Sequence, residues 1–300
     1  MSPSLFCFGL GYTALALVRR LQAEGWRIAG TCREAARQEE LARLGIAARL
    51  FDRDRPLADA RSLLAGCTHL LSSVPPDEAG DPVLDLHGPD IASRSELAWI
   101  GYLSTTGVYG DRQGGWVDEE SALQPTGERG RRRVAAEAGW RALGQRAGLP
   151  AHVFRLAGIY GPGRSAFDAL RAGRAQRIEK PGHVFSRIHV ADIVQVLHAS
   201  MARPRAGAIY NLCDDDPAAP ADVIAHAAAL LGVAPPPLVP LAEAKLSEMA
   251  RSFYDDNKRV RNDRIKQELG VRLTYPDYRA GLAAILAAEK ARGSSAVAPS

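Results

Sequence analysis

Short apolar segments alternate with amphipathic stretches over the first half of the chain. Residues 5–8 form an apolar run, and in residues 12–24 the positions Leu15, Val18 and Leu21 fall on one face of a helix. Gly25 and Gly45 follow two of the amphipathic stretches and indicate helix ends. The alternation predicts strands at 5–8, 26–31, 46–51, 68–74 and 98–103, and helices at 12–24, 37–44, 57–65 and within 83–94.

The same alternation of strands and helices continues into the second half of the chain and then becomes less regular. A helix at 131–145 and a strand at 152–156 extend it, whereas a strand at 208–212 stands between helices at 192–201 and 221–231. Strands that alternate with helices of this length are joined by parallel crossovers. We therefore predict an α/β fold with a doubly wound parallel sheet of the Rossmann type.

The change of rhythm divides the chain into three parts. We expect a Rossmann core at residues 1–160 and a smaller C-terminal lobe at residues 161–290 that binds mainly substrate. The strand at 208–212 is the exception in this lobe, because we expect it to return to the core. Residues 291–300 are small and polar, which predicts a disordered tail.

Composition narrows the class of protein. Apolar residues make up 46% of the 300 residues and charged residues 24%, which suits a sizeable core inside a soluble protein. The net charge of +4 is too small and too scattered to indicate nucleic-acid binding, although it is compatible with an anionic small ligand. Neither a secretory leader nor an apolar stretch of about 18 residues is present. We expect a cytoplasmic protein without membrane contact, compatible with a homodimer, that acts on a small molecule.

The cysteines carry no sign of metal binding. Cys7, Cys32, Cys67 and Cys213 lie far apart and form no C-x-x-C pair. Reduced, buried thiols are the interpretation that fits such a pattern in a reducing compartment.

A glycine-rich turn joins the first predicted strand to the first predicted helix. Its order of residues is the G-x-G-x-x-(G/A) arrangement, in the strand–turn–helix context that this motif requires. Gly9 permits the tight turn, Gly11 lets a diphosphate approach the backbone, and Ala14 keeps the helix close to the sheet. We predict that this turn binds a nicotinamide dinucleotide through Gly9, Leu10, Gly11, Tyr12 and Thr13.

The ends of the next strands indicate which dinucleotide is bound. NAD-specific sites usually place Asp or Glu after the second strand, where this chain has Arg33. An arginine suits the 2′-phosphate of NADP, so we expect NADP, with NAD as the alternative, and a solvated surface arginine remains open. Asp52 follows the third strand and is placed for the adenine amine or as a turn cap. The nicotinamide ribose is expected beside Ser72, Ser73 and Val74, at the end of the fourth strand.

Four later segments, in order, resemble the extended and atypical short-chain dehydrogenase/reductase superfamily of NAD(P)-dependent epimerases and dehydratases. Their similarity is to the YeeZ-type members above all. The segments are S-T-T-G-V-Y-G at 104–110, R-L-A-G-I-Y-G-P-G at 155–163, I-H-V-A-D at 188–192 and Y-N-L at 210–212.

The resemblance implies a catalytic Ser/Thr, a Tyr and a Lys, the last two in Y-x-x-x-K. Thr105 occupies the Ser/Thr position. Glu137 matches the glutamate that follows the lysine by four residues, and counting back from it places Arg133 at the lysine and Arg129 at the tyrosine. An arginine stays protonated and cannot shuttle a proton as tyrosine does. A solvated helix face is the alternative for this arginine cluster.

The proton donor must then come from elsewhere. Tyr109, Glu119, Glu128 and Tyr160 lie in segments that border the nicotinamide in the family, and Tyr109 is included with Thr105, Arg129 and Arg133 as a candidate catalytic residue. His189 is usually structural in the family.

The substrate side departs from the family as well. Nucleotide-sugar enzymes often have an arginine four residues before the family histidine, where this chain has Phe185. Arg187 is shifted by two positions, and Arg164 follows the G-P-G segment. We predict that both arginines bind an anionic substrate, because a cleft lined by one sign of charge concentrates ligands of the opposite sign. A basic surface without function is the alternative.

Two functions follow from these features. The first is an NADP-dependent oxidoreductase or epimerase/dehydratase-like enzyme with relocated acid–base chemistry. The second is a non-catalytic sensor of NADP(H) that keeps the fold and has lost the tyrosine and lysine.

Overall fold

The computed structural model describes residues 3–246, 251 and 253–295, with no side chains described beyond residue 292. The strands are β1 (Ser4–Phe8), β2 (Arg27–Cys32), β3 (Ala47–Leu50), β4 (His69–Ser72), β5 (Trp99–Thr105), β6 (Trp116–Val117), β7 (Ala151–Leu156), β8 (Gly158–Tyr160), β9 (Arg177–Glu179), β10 (Arg187–His189), β11 (Ile209–Leu212), β12 (Leu238–Pro240) and β13 (Arg259–Val260).

The helices alternate with these strands. They are α1 (Tyr12–Ala23), α2 (Ala35–Arg43), α3 (Ala60–Leu64), α4 (Pro82–Ala92), α5 (Glu128–Ala147), α6 (Ala166–Arg171), α7 (Val190–Ala202), α8 (Pro220–Leu231), α9 (Asp263–Leu269) and α10 (Tyr278–Ser295), with a 3₁₀ turn at Thr106–Tyr109. Among the residues that the structure describes, no helix is both long enough and apolar enough to cross a membrane.

Seven strands form one parallel sheet in the order β11-β7-β5-β4-β1-β2-β3. The order runs outward in both directions from β1 and β4, as parallel crossovers on both faces of a sheet produce. The predicted doubly wound Rossmann fold is therefore confirmed. The strand at the end of the sheet beyond β7 is β11, which comes from the second half of the chain.

Both faces of the sheet are covered. Apolar side chains of α1, α7 and α9 pack on one face, with Leu17, Val196 and Ile265 among them. Side chains of α3, α4 and α5 cover the other face around Trp140. Because the central strands are buried on both sides, their sequences are nearly continuous apolar runs, which is why the sequence pattern located them.

The lobe contains the predicted helices at 192–201 and 221–231 as α7 and α8, and it adds short strands that the sequence pattern did not predict. Strand β8 pairs with β10, β9 with β12 and β6 with β13, each in a parallel two-stranded sheet. A separate apolar cluster joins α6, α8 and α10, with Phe167 and Leu282 fully buried. Strands of two or three residues are too short to show an alternation in the sequence.

The predicted tail begins inside a helix. Residues 291–295, which we expected to be disordered, belong to α10, and Leu282, Ile285 and Leu286 of this helix are buried. Spacings of three and four residues place these side chains on one face and explain why the helix forms. Residues 296–300 of the predicted tail lie outside the described residues.

Asn257 of the lobe forms several hydrogen bonds to the core. The backbone N–H of Asn257 donates to Asp111, and its carbonyl accepts from the N–H groups of Arg112 and Gly114. Its side-chain amide donates to the Gly182 carbonyl and accepts from the Val184 N–H. These hydrogen bonds hold the loop after β5 against the loop before β10, so this part of the lobe has a fixed position on the core.

A buried ion pair lies under the carboxyl ends of the central strands. Arg155 of β7 and Glu137 of α5 are joined at 2.8 Å, and both side chains are 3% exposed. Ser104 of β5 donates to the same carboxylate at 2.5 Å, and Arg155 donates to the Tyr109 hydroxyl at 2.9 Å. Tyr109 in turn donates to Asn211 of β11 at 2.7 Å. The network joins three strands and α5, so each charge is paired and hydrogen-bonded as burial requires.

We expect Glu137→Gln to lower the free energy of unfolding by about 3–5 kcal/mol, because it leaves the Arg155 charge buried without a counter-ion. Urea unfolding followed by circular dichroism measures the change. Glu128→Gln on the same helix is the control, because its pair with Arg131 is exposed and its loss should change stability little. Equal effects of the two substitutions would contradict the prediction.

Candidate functional site

The turn after β1 is held in a tight, positive-φ conformation. Gly9 has φ of 84°, and a Cβ at this position would lie 2.8 Å from the Ser73 hydroxyl and 3.2 Å from a Val74 methyl carbon. The Gly9 N–H donates to the Thr31 hydroxyl at 2.9 Å, and Ser73 donates to the Gly9 carbonyl at 2.5 Å. Only glycine fits here, because both the backbone conformation and the space exclude a side chain.

The space in front of Gly11 is open. A Cβ built there meets no atom within 4 Å, in contrast to Gly9. Gly11 is the N-cap of α1, and no side chain caps this terminus. The first N–H groups of a helix carry partial positive charge and lack partners within the helix, so this terminus is suited to an anion.

The other residues predicted for the coenzyme surround the turn. Leu10 is buried and its N–H donates to the Thr31 carbonyl, and Thr13 is buried inside α1. Ser72 is fully buried, and its hydroxyl has no hydrogen-bond partner in the described part of the chain. Thr31 was missed by the sequence reasoning, although a hydroxyl residue at the end of β2 was the available signal.

The carboxyl ends of β2 and β3 bring two arginines together. Arg33 is exposed, and its backbone carbonyl accepts from the Arg55 guanidinium at 2.8 Å. Arg55 also pairs with Asp52 at 2.7 Å, so the carboxylate that we expected to face adenine has a cationic partner in the protein. Sequence reasoning missed Arg55, because nothing in R-D-R-P shows that its side chain folds back toward Arg33.

Thr105 ends β5 at the mouth of the cleft. Its hydroxyl oxygen accepts from the Gly107 N–H at 3.1 Å, which leaves its own O–H available to donate. Tyr109 lies differently: it is fully buried, and its hydroxyl is engaged with Arg155 and Asn211. Burial raises the pKa of Tyr109 to about 12, although Arg155 opposes the shift. The structure therefore does not bring Tyr109 together with Thr105 at the cleft.

The two arginines at the tyrosine and lysine positions point in different directions. Arg129 is exposed on the first turn of α5. Arg133 is half-buried, donates to the Leu103 carbonyl, and lies over the ring of Tyr102 at 5.8 Å. Arg133 is thus held by the backbone of β5 and by an aromatic ring, whereas Arg129 is exposed to solvent.

The other candidate proton donors are engaged in the interior or exposed. The Glu119 carboxylate accepts from the Asn211 N–H at 2.7 Å, and Tyr160 donates to the Asp277 carbonyl at 3.3 Å. Glu128 is exposed and pairs with Arg131. His189 caps α7 by accepting from the Ala191 N–H at 3.2 Å, a structural role.

The two arginines predicted for the substrate also lie apart. Arg187 donates from one nitrogen to the carbonyls of Phe185 and Ala218, each at 2.9 Å, and burial lowers its pKa. Arg164 is exposed and lies over the ring of Tyr12 at 5.8 Å, beside the coenzyme turn. No group of three or more His, Cys, Asp or Glu side chains in the described residues could hold a metal ion.

Comparison with known proteins agrees with this geometry. The NAD dependent epimerase/dehydratase family matches residues 90–213. Protein YeeZ of Escherichia coli (strain K12) is 29% identical over 283 residues, which cover 90% of this chain and 95% of YeeZ.

Two solved structures are similar over nearly the whole chain. A conserved protein of unknown function from Silicibacter pomeroyi DSS is 56% identical, with a TM-score of 0.88, and the match covers 96% of this chain and 99% of that one. The dTDP-glucose 4,6-dehydratase of Bacillus anthracis str. Ames, solved with NAD, is 16% identical with a TM-score of 0.74, and the match covers 97% of each chain. The latter likeness is one of fold. The family match and the similarity to YeeZ support the predicted resemblance to the extended short-chain dehydrogenase/reductase superfamily.

A buried acid lies close to Arg187 at the junction of core and lobe. Asp214 is 1% exposed, and neither of its carboxylate oxygens has a hydrogen-bond partner in the described residues. Burial raises the pKa of Asp214 to about 8, while the charge of Arg187 opposes the shift. Its backbone N–H donates to the Arg187 carbonyl, so it is fixed beside β10.

This acid should make the folded state less stable as pH rises. Between pH 3.8, the ordinary pKa, and about pH 8, Asp214 keeps its proton in the folded state and has lost it in the unfolded state. The free energy of unfolding therefore falls by up to about 1.4 kcal/mol for each pH unit in this range. We expect Asp214→Asn to remove this slope, so that the variant gains stability over wild type from pH 5 to pH 8. Unfolding in urea at several pH values measures it. Asp263→Asn, which removes an exposed carboxylate paired with Arg261, should retain the wild-type slope; parallel curves for Asp214→Asn and wild type would refute the expectation.

Proposed function

We propose that this chain binds a nicotinamide dinucleotide, prefers NADP(H) to NAD(H), and is an oxidoreductase or epimerase/dehydratase-like enzyme acting on an anionic small molecule. The observation that carries the proposal is the turn after β1. Gly9 is packed against Ser73 and Val74, while the space in front of Gly11 at the start of α1 is open. A dinucleotide requires both features, a close turn and an accessible helix N-terminus.

The preference for NADP rests on the arginines beyond β2 and β3. Arg33 stands where NAD-specific sites have an acidic residue, and the Arg55 side chain reaches its carbonyl. Two guanidinium groups at this end of the sheet favour a 2′-phosphate over a ribose hydroxyl. The dehydratase of B. anthracis was solved with NAD, so the proposed preference depends on residues of this chain and not on the relatives.

The chemistry proposed for the site uses Thr105 and Arg129. A bound nicotinamide ring supplies hydride transfer. The Thr105 hydroxyl retains a donor that can orient a substrate oxygen, because its acceptor side is occupied by the Gly107 N–H. Arg129 is exposed at the start of α5, where its fixed positive charge can stabilise a developing oxyanion but cannot return a proton. The proton must then come from another group or from water.

An enzyme fits these residues better than a non-catalytic sensor, because Thr105 keeps its donor at the cleft and the coenzyme turn is intact. Basic side chains of the lobe support an anionic substrate, since single-sign clefts attract the opposite charge. They are Arg174, Arg177, Arg187, Arg251, Lys258, Arg259 and Arg261.

NADPH should bind at least about ten times more tightly than NADH, since a charged hydrogen bond contributes about 1.5–3 kcal/mol. Arg33→Ala should remove most of that preference by weakening NADPH alone. Titration of both coenzymes by intrinsic fluorescence gives the two dissociation constants.

Two further variants complete this test, one expected to lose binding and one expected to keep it. Gly11→Val should abolish binding of both coenzymes, because the valine side chain would fill the space that the diphosphate needs. It should leave the far-UV circular dichroism unchanged, because the protein itself leaves that space open. Arg61→Ala, which removes an exposed arginine of α3 that pairs with Asp90 of α4, should bind like wild type. Equal affinities of wild type for NADPH and NADH would refute the preference, and normal binding by Gly11→Val would refute the placement of the coenzyme.

The tyrosine–lysine mechanism of the family should not operate here. Arg129→Tyr/Arg133→Lys should not acquire ordinary nucleotide-sugar epimerase activity, because Phe185 stands at the arginine position of those enzymes and Arg133 is held by the Leu103 carbonyl. NADPH oxidation with a panel of aldehydes, ketones and nucleotide sugars, compared with wild type and Arg129→Ala, is the assay. High epimerase activity of the double variant would show that only two residues were missing.

A further inference from the structure

We infer that Arg164 of the lobe contacts the diphosphate of the bound coenzyme, so that the lobe completes a site otherwise formed by the Rossmann core. The inference rests on the proposed coenzyme binding and adds to it a residue that sequence analysis had placed with the substrate. It makes Arg164 a coenzyme-binding residue and a link between the two parts of the chain.

The loop that carries Arg164 is packed on the first residue of α1. The Tyr12 hydroxyl donates to the Pro162 carbonyl at 3.1 Å, across 150 residues of sequence. Gly161 lies against the same side chain, since a Cβ at this position would be 2.5 Å from the Tyr12 hydroxyl. Tyr12 directly follows Gly11, so this contact brings the G-P-G loop to the coenzyme turn.

The loop holds Arg164 in a defined position. The backbone groups of Gly161 and Arg164 exchange two hydrogen bonds, at 3.1 and 3.0 Å, which close a tight turn. The Arg164 Nε donates to the Ile159 carbonyl at 3.2 Å, and the guanidinium carbon lies 5.8 Å from the centre of the Tyr12 ring. An arginine fixed through Nε and over an aromatic face keeps its terminal N–H groups available for an anion.

Arg164 differs in its pairing from two exposed arginines of the lobe, Arg171 and Arg279. Arg171 pairs with Glu289 at 2.6 Å and Arg279 with Asp216 at 2.7 Å. No carboxylate of the described residues lies within ion-pair distance of Arg164, whose one hydrogen bond from the side chain goes to a carbonyl. Its charge is therefore not neutralised by the protein.

The two features complement each other chemically. A dinucleotide's diphosphate carries two negative charges, while the N-terminus of α1 offers only partial positive charge and neutral N–H groups. A guanidinium beside that terminus supplies the full positive charge and donates in the planar geometry that phosphate oxygens accept. Tyr12 links the two features, because it follows Gly11 in the sequence and its ring lies against Arg164 in the fold.

The experiment compares Arg164→Gln with wild type for three ligands: NADPH, NADH and 2′-AMP, which carries the 2′-phosphate but no diphosphate. We expect NADPH and NADH to bind about tenfold more weakly to the variant, by the same factor, because a charge-assisted bond to phosphate is lost. The inhibition constant of 2′-AMP, measured by displacement of NADPH, should stay unchanged. Arg164→Lys should recover part of the affinity, and Arg171→Gln should bind all three ligands like wild type.

Unchanged affinity of Arg164→Gln for NADPH and NADH overturns the inference. A loss of affinity for NADPH alone also overturns it, since that result assigns Arg164 to the 2′-phosphate. An equal loss of affinity for 2′-AMP overturns it as well, since that result assigns Arg164 a role in the fold. Failure of the proposed function is separate: wild type would then bind neither NADPH nor NADH, whatever the variant does.

Discussion

The buried pair of Arg155 and Glu137 is the constraint on which the site depends. Both charges are removed from water and are compensated by each other, by Ser104 and by Tyr109. Such a pair contributes little net stability when complete, but it permits only one arrangement of its neighbours. It fixes the end of β5, which carries Thr105, against α5, which carries Arg129 and Arg133. Asn211 brings β11 of the second half of the chain into the same network.

The main chain and the side chains contribute different features to the proposed coenzyme site. The turn after β1 provides a close approach at Gly9 and an open helix terminus at Gly11, neither of which depends on a charged side chain. The proposed preference for NADP rests on the ends of the strands, where Arg33 stands at the position of the acid of NAD sites and Arg55 reaches its carbonyl. The contact between Tyr12 and Pro162 then ties this site to the lobe, so coenzyme binding and lobe position are physically connected.

The substitutions on α5 change what the cleft can do. Arg133 is directed to the Leu103 carbonyl, where it supports β5, while Arg129 is exposed on the first turn of α5. In the proposed function, the hydroxyl donor of Thr105 and the fixed positive charge of Arg129 would bind and polarise an anionic substrate. The tyrosine position of the family holds Arg129, and Tyr109 does not replace that tyrosine because its hydroxyl is enclosed by the ion-pair network.

The sequence by itself determined the Rossmann core and the position of the coenzyme turn. Buried parallel strands are continuous apolar runs, and the turn needs glycine at fixed spacing, so both are visible locally. Motif spacing also placed Thr105, Arg129 and Arg133 on their elements. Only the tertiary structure decided which side chains meet. Arg55 folds back to Arg33, Tyr109 is enclosed by Arg155, and Arg164 lies over Tyr12. These contacts join residues far apart in the chain, and their geometry depends on the packing of whole elements, which no local pattern of residues encodes.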